Sequence, residues 1–255
     1  MSDVRPPPPA ADWAWFLDVD GTLIHIAATP SGISIPAAVP ALLTALSARY
    51  GGAVALVSGR TVENLHRLMA PYRPAAAGLH GLERVTADGR VVRPEVAAGL
   101  DEIRADLSAI AGGGILLEDK GLALAVHYRQ APDREAEVLD AVTRAAITHS
   151  GFRMQTGKMV AEIGPAGFDK GAAVRAFMDE PPFQGRLPVF IGDDVTDEYG
   201  FEAVNALGGI SVLVGPARPS AARYRLSDVE ECLAWLGEAA GVLPDRDDAP
   251  RRRRR

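Results

Sequence analysis

Five short, almost wholly apolar runs constrain this chain more than any other feature. They are Trp13–Leu17 (WAWFL), Ala53–Val57 (AVALV), Ala75–Leu79, Leu187–Gly192 and Ile210–Val214. Apolar segments of this length without polar alternation suit strands covered on both faces, as in a parallel sheet between two layers of helices. Between the runs lie segments of helical spacing: Pro36 to about Tyr50, with Val39, Leu42, Leu43 and Leu46 in phase, then Val62–Met69, Lys170–Asp179, Glu198–Leu207 and Val229–Ala240. The alternation predicts an α/β, doubly wound, Rossmann-like core.

The pattern breaks in the middle. Glu83–Arg93 carries Asp88-Gly89 between β-rich residues, a hairpin signal. A helix over Glu95–Ile110 follows, then strands Ile115–Glu118 and Leu122–Arg129 about the turn Asp119-Lys120-Gly121. A second helix, Asp133–Ser150, leads to strands Phe152–Thr156 and Met159–Ile163. Helix then hairpin, twice over, predicts an antiparallel sheet with its helices on one face. Residues 84–164 are therefore expected to form an inserted α+β domain in a core of 13–83 and 165–243, with a hinge near 82–85 and 164–168. The proline-rich residues 1–12 are expected to be a disordered leader, and 244–255 a disordered tail.

Composition sets limits on function. The chain has 255 residues, 47% hydrophobic and 24% charged, an ordinary globular balance. No apolar run approaches the roughly 20 residues that span a bilayer, and the N-terminus lacks a signal-peptide core, so a cytoplasmic protein without membrane contact is expected. Setting the five positives of Arg251–Arg255 aside from the formal net charge of −6 leaves −11 on the body, which argues against a nucleic-acid binder. The one cysteine, Cys232, excludes an internal disulfide and a multi-cysteine metal site. A small-molecule partner and a monomer are expected.

Three of the apolar runs end in polar chemistry: Asp18 and Asp20 in DVDGTL, Ser58 in SGR, and Asp193, Asp194 and Asp197 in GDDVTDE. If the strands are parallel, these ends meet on the edge where open α/β sheets bind ligands. A site of several carboxylates and a hydroxyl, without His or Cys clusters, suits a hard cation, Mg²⁺ before Zn²⁺, held together with phosphate oxygens. There a carboxylate can act as nucleophile and a second, two residues on, as general acid and then base; Asp18 and Asp20 fit these parts. Lys170, at a helix start, supplies the cation that lets a carboxylate approach a phosphate. Ser58 and the backbone N–H groups around Gly21 and Gly59 would hold phosphoryl oxygens. Singly, each feature has a plainer reading. DVDGT also fits an Asx-turn or the metal-binding DxD of a nucleotide-sugar glycosyltransferase, Ser58-Gly59-Arg60 a helix cap, Lys170 a solvated helix residue, and the acidic run a helix N-terminus favoured by its dipole.

In this order, DVDGTL, Ser58 after AVALV, Lys170 and GDDVTDE resemble the four motifs of the haloacid dehalogenase superfamily of phosphohydrolases, and the insertion resembles its C2B-type cap. Within that superfamily, LVSGR (Leu56–Arg60), GLHGLER (Gly78–Arg84), LEDKGLALAVHYR (Leu117–Arg129), GKMVAEIGP (Gly157–Pro165), DKG (Asp169–Gly171) and GDDVTDE together resemble the trehalose-6-phosphate phosphatases. The resemblance covers about 13 to 240. It implies Asp18 as nucleophile and Asp20 as acid/base. It also implies Mg²⁺ held by Asp18, the Asp20 carbonyl and Asp193, with Asp194 or Asp197 in support. The substrate implied is trehalose 6-phosphate, hydrolysed to trehalose and phosphate as the last step of trehalose biosynthesis.

The family's KxxxE pattern falls on Lys158 and Glu162. These residues share a strand face with Val160 in the expected strand, opposite Met159, Ala161 and Ile163, and would grip sugar hydroxyls. A cross-strand ion pair on a wet sheet face is the plainer reading of the two. Arg60 and His80 join the expected substrate contacts, with a satisfied loop histidine the plainer reading of His80, and His127 and Arg129 share a further face. Gly164 departs from the family, which often carries a basic residue there. Phosphatases for sucrose 6-phosphate or mannosyl-phosphoglycerate, a DxD glycosyltransferase and a non-catalytic sugar-phosphate sensor remain the competing readings.

Overall fold

The computed structural model describes residues 4–26 and 35–242. The terminal arginines and most of the segment expected to be irregular between Ile24 and Ile35 lie outside them. The apolar runs form the sheet expected: β1 (Trp13–Leu17), β2 (Val54–Val57), β3 (Ala75–Gly78), and, later in the chain, β10 (Leu187–Gly192), β11 (Ile210–Val214) and β12 (Tyr224–Leu226). These six lie parallel in the order β12-β11-β10-β1-β2-β3. All five residues of β1 are buried because the sheet is covered twice. Trp13, Trp15 and Leu17 face a cluster with Leu43 and Leu46 of α1 (Ala38–Arg49) and Trp235 and Leu236 of α7 (Val229–Ala240). Ala14 and Phe16 face Phe177 of α5 (Lys170–Met178) and Phe201 of α6 (Glu198–Ala206). The short helix α2 (Val62–Leu68) follows β2, its Thr61 cap accepting the Asn64 N–H at 3.2 Å.

The inserted domain is a four-stranded antiparallel sheet in the order β6-β7-β9-β8, built from β6 (Leu116–Asp119), β7 (Leu124–His127), β8 (Phe152–Gly157) and β9 (Val160–Pro165). One face packs on α3 (Leu100–Ser108) and α4 (Glu135–Thr148) through Leu124, Val126, Ala161 and Ile163. The other turns toward the carboxyl ends of the core strands. Among the described residues, no helix is long and apolar enough to cross a membrane.

Several expectations need correction. The hairpin expected to open the inserted domain at residue 84 belongs to the core. Its strands β4 (Glu83–Val85) and β5 (Val91–Val92) extend the large sheet to eight strands, β4 antiparallel to β3 with Ala76 opposite Val85. Arg84 fastens it to Glu180 beyond α5 at 2.8 Å. The cap thus begins after this hairpin, and the junction with the core moves from 82–85 to the stretch before α3. The leader, expected to be disordered, is packed over its described part: the Val4 carbonyl accepts from the Arg225 N–H at 3.0 Å, and Arg5 pairs with Glu231 and Glu238 of α7. Helix α3 starts at Leu100 rather than Glu95, after Gly99 in the left-handed region.

Candidate active site

In the strand order, the chain leaves β1 toward β2 on one side and β10 toward β11 on the other. The crevice where direction reverses lies between β1 and β10, the position at which doubly wound sheets bind ligands. Asp18 follows β1 and Asp193 follows β10, so the two carboxylates flank it. Ser58 follows β2, and His80 follows β3 by two residues. With the inserted sheet as roof they enclose a cleft of about 630 Å³.

The floor is a buried ion cluster. Lys170, first residue of α5, donates to Asp18 Oδ1 at 2.8 Å and to Asp197 Oδ1 at 2.6 Å. It can do so because Asp169 caps the helix through the Ala172 N–H at 2.7 Å, fixing where α5 begins. Thr22 Oγ1 donates to the other Asp18 oxygen at 3.3 Å. Asp197 Oδ2 accepts the backbone N–H groups of Asp193 (3.0 Å) and Asp194 (2.9 Å), shaping the loop after β10. Gly21 allows the loop after β1 to pass this close: its φ is +86°, and a Cβ there would fall 2.2 Å from Asp193 Oδ2.

Burial pushes the Asp18 carboxyl well above the usual carboxylate range; Lys170 pulls it down, while Asp197 and Asp193 raise it further. Asp193 is pushed up to about 6 by burial and by Asp197, with Lys158 opposing. Burial works against the charge on Lys170, yet Asp18 and Asp197 hold it above the usual lysine range. The cluster is short of positive charge. Oxygens of Asp18, Asp193 and Asp197 lie within 4.8 Å of one another, and Asp193 Oδ1 is buried without a hydrogen-bond partner. An all-oxygen set with an orphaned carboxylate oxygen fits a hard divalent cation. Asp18 and Asp193 line the cleft, whereas Asp197 is fully buried with both oxygens on Lys170 and the loop, so the first two could hold such an ion and Asp197 support them. Asp194, also expected near the metal, lines the cleft and caps the 3-10 turn Val195–Asp197, accepting the Val195 N–H at 2.8 Å.

Asp20 stands beside the floor with both oxygens on Arg60, at 2.6 and 2.7 Å, and Arg60 also donates to Asn64 Oδ1 at 2.9 Å. Ser58 is buried, its hydroxyl 3.3 Å from the Arg60 N–H. Asp18, Asp20, Ser58, Gly59, Arg60, His80, Lys158, Glu162, Lys170, Asp193 and Asp194 all line the cleft, and Asp197 is buried behind it; Gly21 does not line it, and its N–H, expected to hold a phosphoryl oxygen, donates to the Ile24 carbonyl at 2.7 Å instead.

The roof carries charge, as expected, with one change. The strand was expected to include Lys158, but β9 begins at Val160. Lys158 and Met159 form the hairpin turn, with Met159 at φ +62°. Lys158 thus sits at the tip, and its ammonium reaches Asp193 Oδ2 at 3.0 Å. Val160 and Glu162 face the cleft, and Ala161 and Ile163 the cap core. Glu162 accepts from Lys120 at 2.7 Å and pairs with His80 Nε2 at 3.1 Å. His127 pairs with Glu118 at 2.8 Å. Opposite Gly164 stands Arg153, which donates to the Phe168 carbonyl at 2.7 Å.

Two residues escape a reading of the sequence. Lys120 reads as a turn residue, though it lies in the LEDKG stretch that carries the resemblance. Arg218 holds the carbonyls of Asp193 (3.3 Å) and Asp194 (2.9 Å) and pairs with Glu198; nothing in its loop sequence signals this.

Known proteins match most of the chain. The family model described as Trehalose-phosphatase matches residues 16–230. A probable trehalose-phosphate phosphatase of Sinorhizobium fredii is 47% identical over 91% of this chain and 89% of its own length. The trehalose-6-phosphate phosphatase of Escherichia coli is 41% identical over 89% of this chain and 86% of its own. The solved C-terminal domain of C. albicans trehalose-6-phosphate phosphatase has a TM-score of 0.82 at 20% identity, over 95% of this chain and 100% of that one, and so shares the fold. The motifs, the strand-end chemistry and these matches agree: the chain belongs to the trehalose-phosphatase family, with a doubly wound core and an inserted cap.

Proposed function

We propose that this chain hydrolyses trehalose 6-phosphate to trehalose and inorganic phosphate through a phosphoryl group carried on Asp18. The observation that carries the reading is the placement of Asp18. It is 4% exposed, held by Lys170, and lies under a cap face of charged groups suited to hydroxyls. An Asp18 oxygen attacks phosphorus, the bond from phosphorus to the sugar oxygen breaks, and Asp20 gives that oxygen a proton. Arg60 engages both Asp20 oxygens, so this pair opens for the transfer. Asp20 then takes a proton from water, the water oxygen attacks phosphorus, and the bond to Asp18 breaks, restoring its carboxylate.

Lys170 offsets the repulsion between carboxylate and phosphate. Ser58 and the backbone N–H group of Gly59 receive phosphoryl oxygens; the Gly21 N–H is taken up by the Ile24 carbonyl at 2.7 Å. Asp18, Asp193 and the Asp20 carbonyl would hold Mg²⁺, which when bound neutralises developing charge on the phosphoryl oxygens. Glu162, Lys120 and Lys158 meet sugar hydroxyls: each carboxylate oxygen keeps a free lone pair after one hydrogen bond, and the cap excludes water. A DxD glycosyltransferase would leave Lys170 and its buried cluster without a part.

The test is phosphate release from a panel of trehalose 6-phosphate, sucrose 6-phosphate, mannosyl-phosphoglycerate and glucose 6-phosphate, with and without Mg²⁺. Trehalose 6-phosphate is expected to be turned over far faster than the rest and only with the metal. Equal rates across the panel would sink the substrate assignment, and metal-independent turnover the cofactor.

A further inference from the structure

His80 combines features that its place as a loop residue does not explain. It and Leu79 both have left-handed backbones, at φ 56° and 51°. Residues other than glycine are uncommon there, and such conformations persist only where the surroundings over-determine them. Two hydrogen bonds fasten this turn to the loop after β2. The His80 N–H donates to the Ser58 carbonyl and the Leu79 N–H to the Arg60 carbonyl, both at 2.9 Å. The imidazole lies so close over Gly59 that a Cβ there would fall 2.6 Å from Nε2. The side chain is 11% exposed, and its Nδ1 is buried with no hydrogen-bond partner.

The contact that remains is Nε2, 3.1 Å from Glu162 Oε2. A carboxylate only accepts, so Nε2 carries the hydrogen. The second Glu162 oxygen takes Lys120 Nζ, which also donates to the Gly59 carbonyl at 3.0 Å. Two separate routes thus run from Gly59, in the expected phosphoryl-binding loop, to Glu162. Lys120 is part of the cap and travels with Glu162; His80 is part of the core. Burial works to neutralise Glu162, but Lys120 and His80 together hold its carboxyl below the usual range, leaving it an ionised acceptor.

We propose that His80 is a positioning residue that fixes the sugar-facing carboxylate of Glu162 at a set height over the Ser58-Gly59 loop. It thereby selects phosphate esters by the reach from phosphoryl group to hydroxyls. This rests on the function proposed above. The strained turn and the orphaned nitrogen are then the local cost of one rigid core-to-cap contact. A ring that served only to fill space would need neither the αL backbone nor an ion-pair partner in the other domain.

The test is a double-mutant cycle read as kcat/KM on trehalose 6-phosphate, with His80→Asn, Glu162→Ala and both together. Asn tolerates the left-handed backbone but is too short to reach Glu162. His80→Asn is expected to lower kcat/KM by about 30-fold, mostly through KM, the scale of one charge-assisted hydrogen bond. Its unfolding midpoint should stay near the parent's, and the double variant should fall no further than Glu162→Ala alone. His80→Gln, which restores a terminal donor, should recover part of the loss and gives a second reading if the Asn variant folds poorly. Losses that multiply in the double variant, or a His80→Asn enzyme with parental kcat/KM, would overturn the positioning role while leaving the function intact. A parent enzyme with no turnover of trehalose 6-phosphate would overturn the function and this inference with it.

Discussion

Replacing Lys170 with Met tests the floor of the site most directly. Lys170 Nζ stands 2.8 Å from Asp18 and 2.6 Å from Asp197, with side-chain exposures of 3%, 6% and 0% for the three groups. Met nearly matches the volume and removes the charge, leaving two buried carboxylates facing each other. Breaking a buried pair by deleting one partner costs about 3–5 kcal/mol because the other charge is stranded. At about 2–4 °C per kcal/mol for a chain of this size, the unfolding midpoint should drop by roughly 6–20 °C. Turnover should fall about a hundredfold to a thousandfold, the scale of losing one preorganised electrostatic contact. The discriminating arm is the double variant Lys170→Met/Asp197→Asn. The Asp197→Asn change keeps an oxygen for the Asp193 and Asp194 N–H groups while removing one stranded charge. Part of the lost stability should return, with no activity. Thermal melts and steady-state turnover read both. A Lys170→Met protein that melts with the parent, or a double variant less stable than the single one, would refute the electrostatic argument.

Other consequences can be checked separately. Gly21→Ala forces a Cβ against the Asp193 carboxylate, 2.2 Å away, from a backbone at φ +86°. It should lose about 1–3 kcal/mol of stability, the range seen for overpacking, together with most activity; parental melts and turnover would show that the loop gives way freely. Glu162 sets a pH dependence. Burial opposes its charge, but Lys120 and His80 keep its native carboxyl below the ordinary 4.5, so its contribution is fully present above that value and is lost progressively as pH falls below it through the lower native value. Denaturation curves of the parent and Glu162→Gln should therefore converge on acidification, and a constant gap would count against this. The Cys232 thiol is pushed up by burial, so a thiol reagent should titrate it only after denaturation; reaction in the native state would contradict the packing of α7.

What could be read from sequence was what burial writes locally. WAWFL reads as a central strand because both its faces are covered, so no polar residue interrupts it. DVDGTL and GDDVTDE read as strand-end chemistry because their carboxylates follow such strands at once. The errors lie where a partner far along the chain decides. Glu83–Val92 announces a hairpin, but nothing in it says that Val85 pairs with Ala76 of the core rather than with the cap. The proline-rich leader lacks periodicity, yet the edge of β12 and the acidic face of α7 hold its described part. At Lys158 the strand alternation runs on in the letters, while the backbone turns at Met159. Lys120 and Arg218 act through carbonyls and carboxylates on other segments, and no local pattern records that.

The division of the site into floor and roof bears on specificity. The floor groups, Asp18, Lys170, Ser58 and Asp193, would serve any phosphate monoester, so discrimination falls to the roof. Yet the roof charges are already paired: Glu118 with His127, Glu162 with Lys120 and His80, and Lys158 with Asp193. A hydroxyl entering at Glu162 need break nothing, since each oxygen retains a lone pair; a buried, already ionised acceptor meets the sugar without rearranging. Lys158 differs. It is 57% exposed, sits on a turn, and its partner belongs to the floor. The ammonium is solvated although Asp193 is 8% exposed, so a sugar hydroxyl arriving at the turn can draw it off Asp193. The roof thus has a fixed part and one mobile charge, both turned to the sugar. A substrate that satisfies only one of them, too short to reach Glu162 from the floor, gains the chemistry of the core without the closure of the cap.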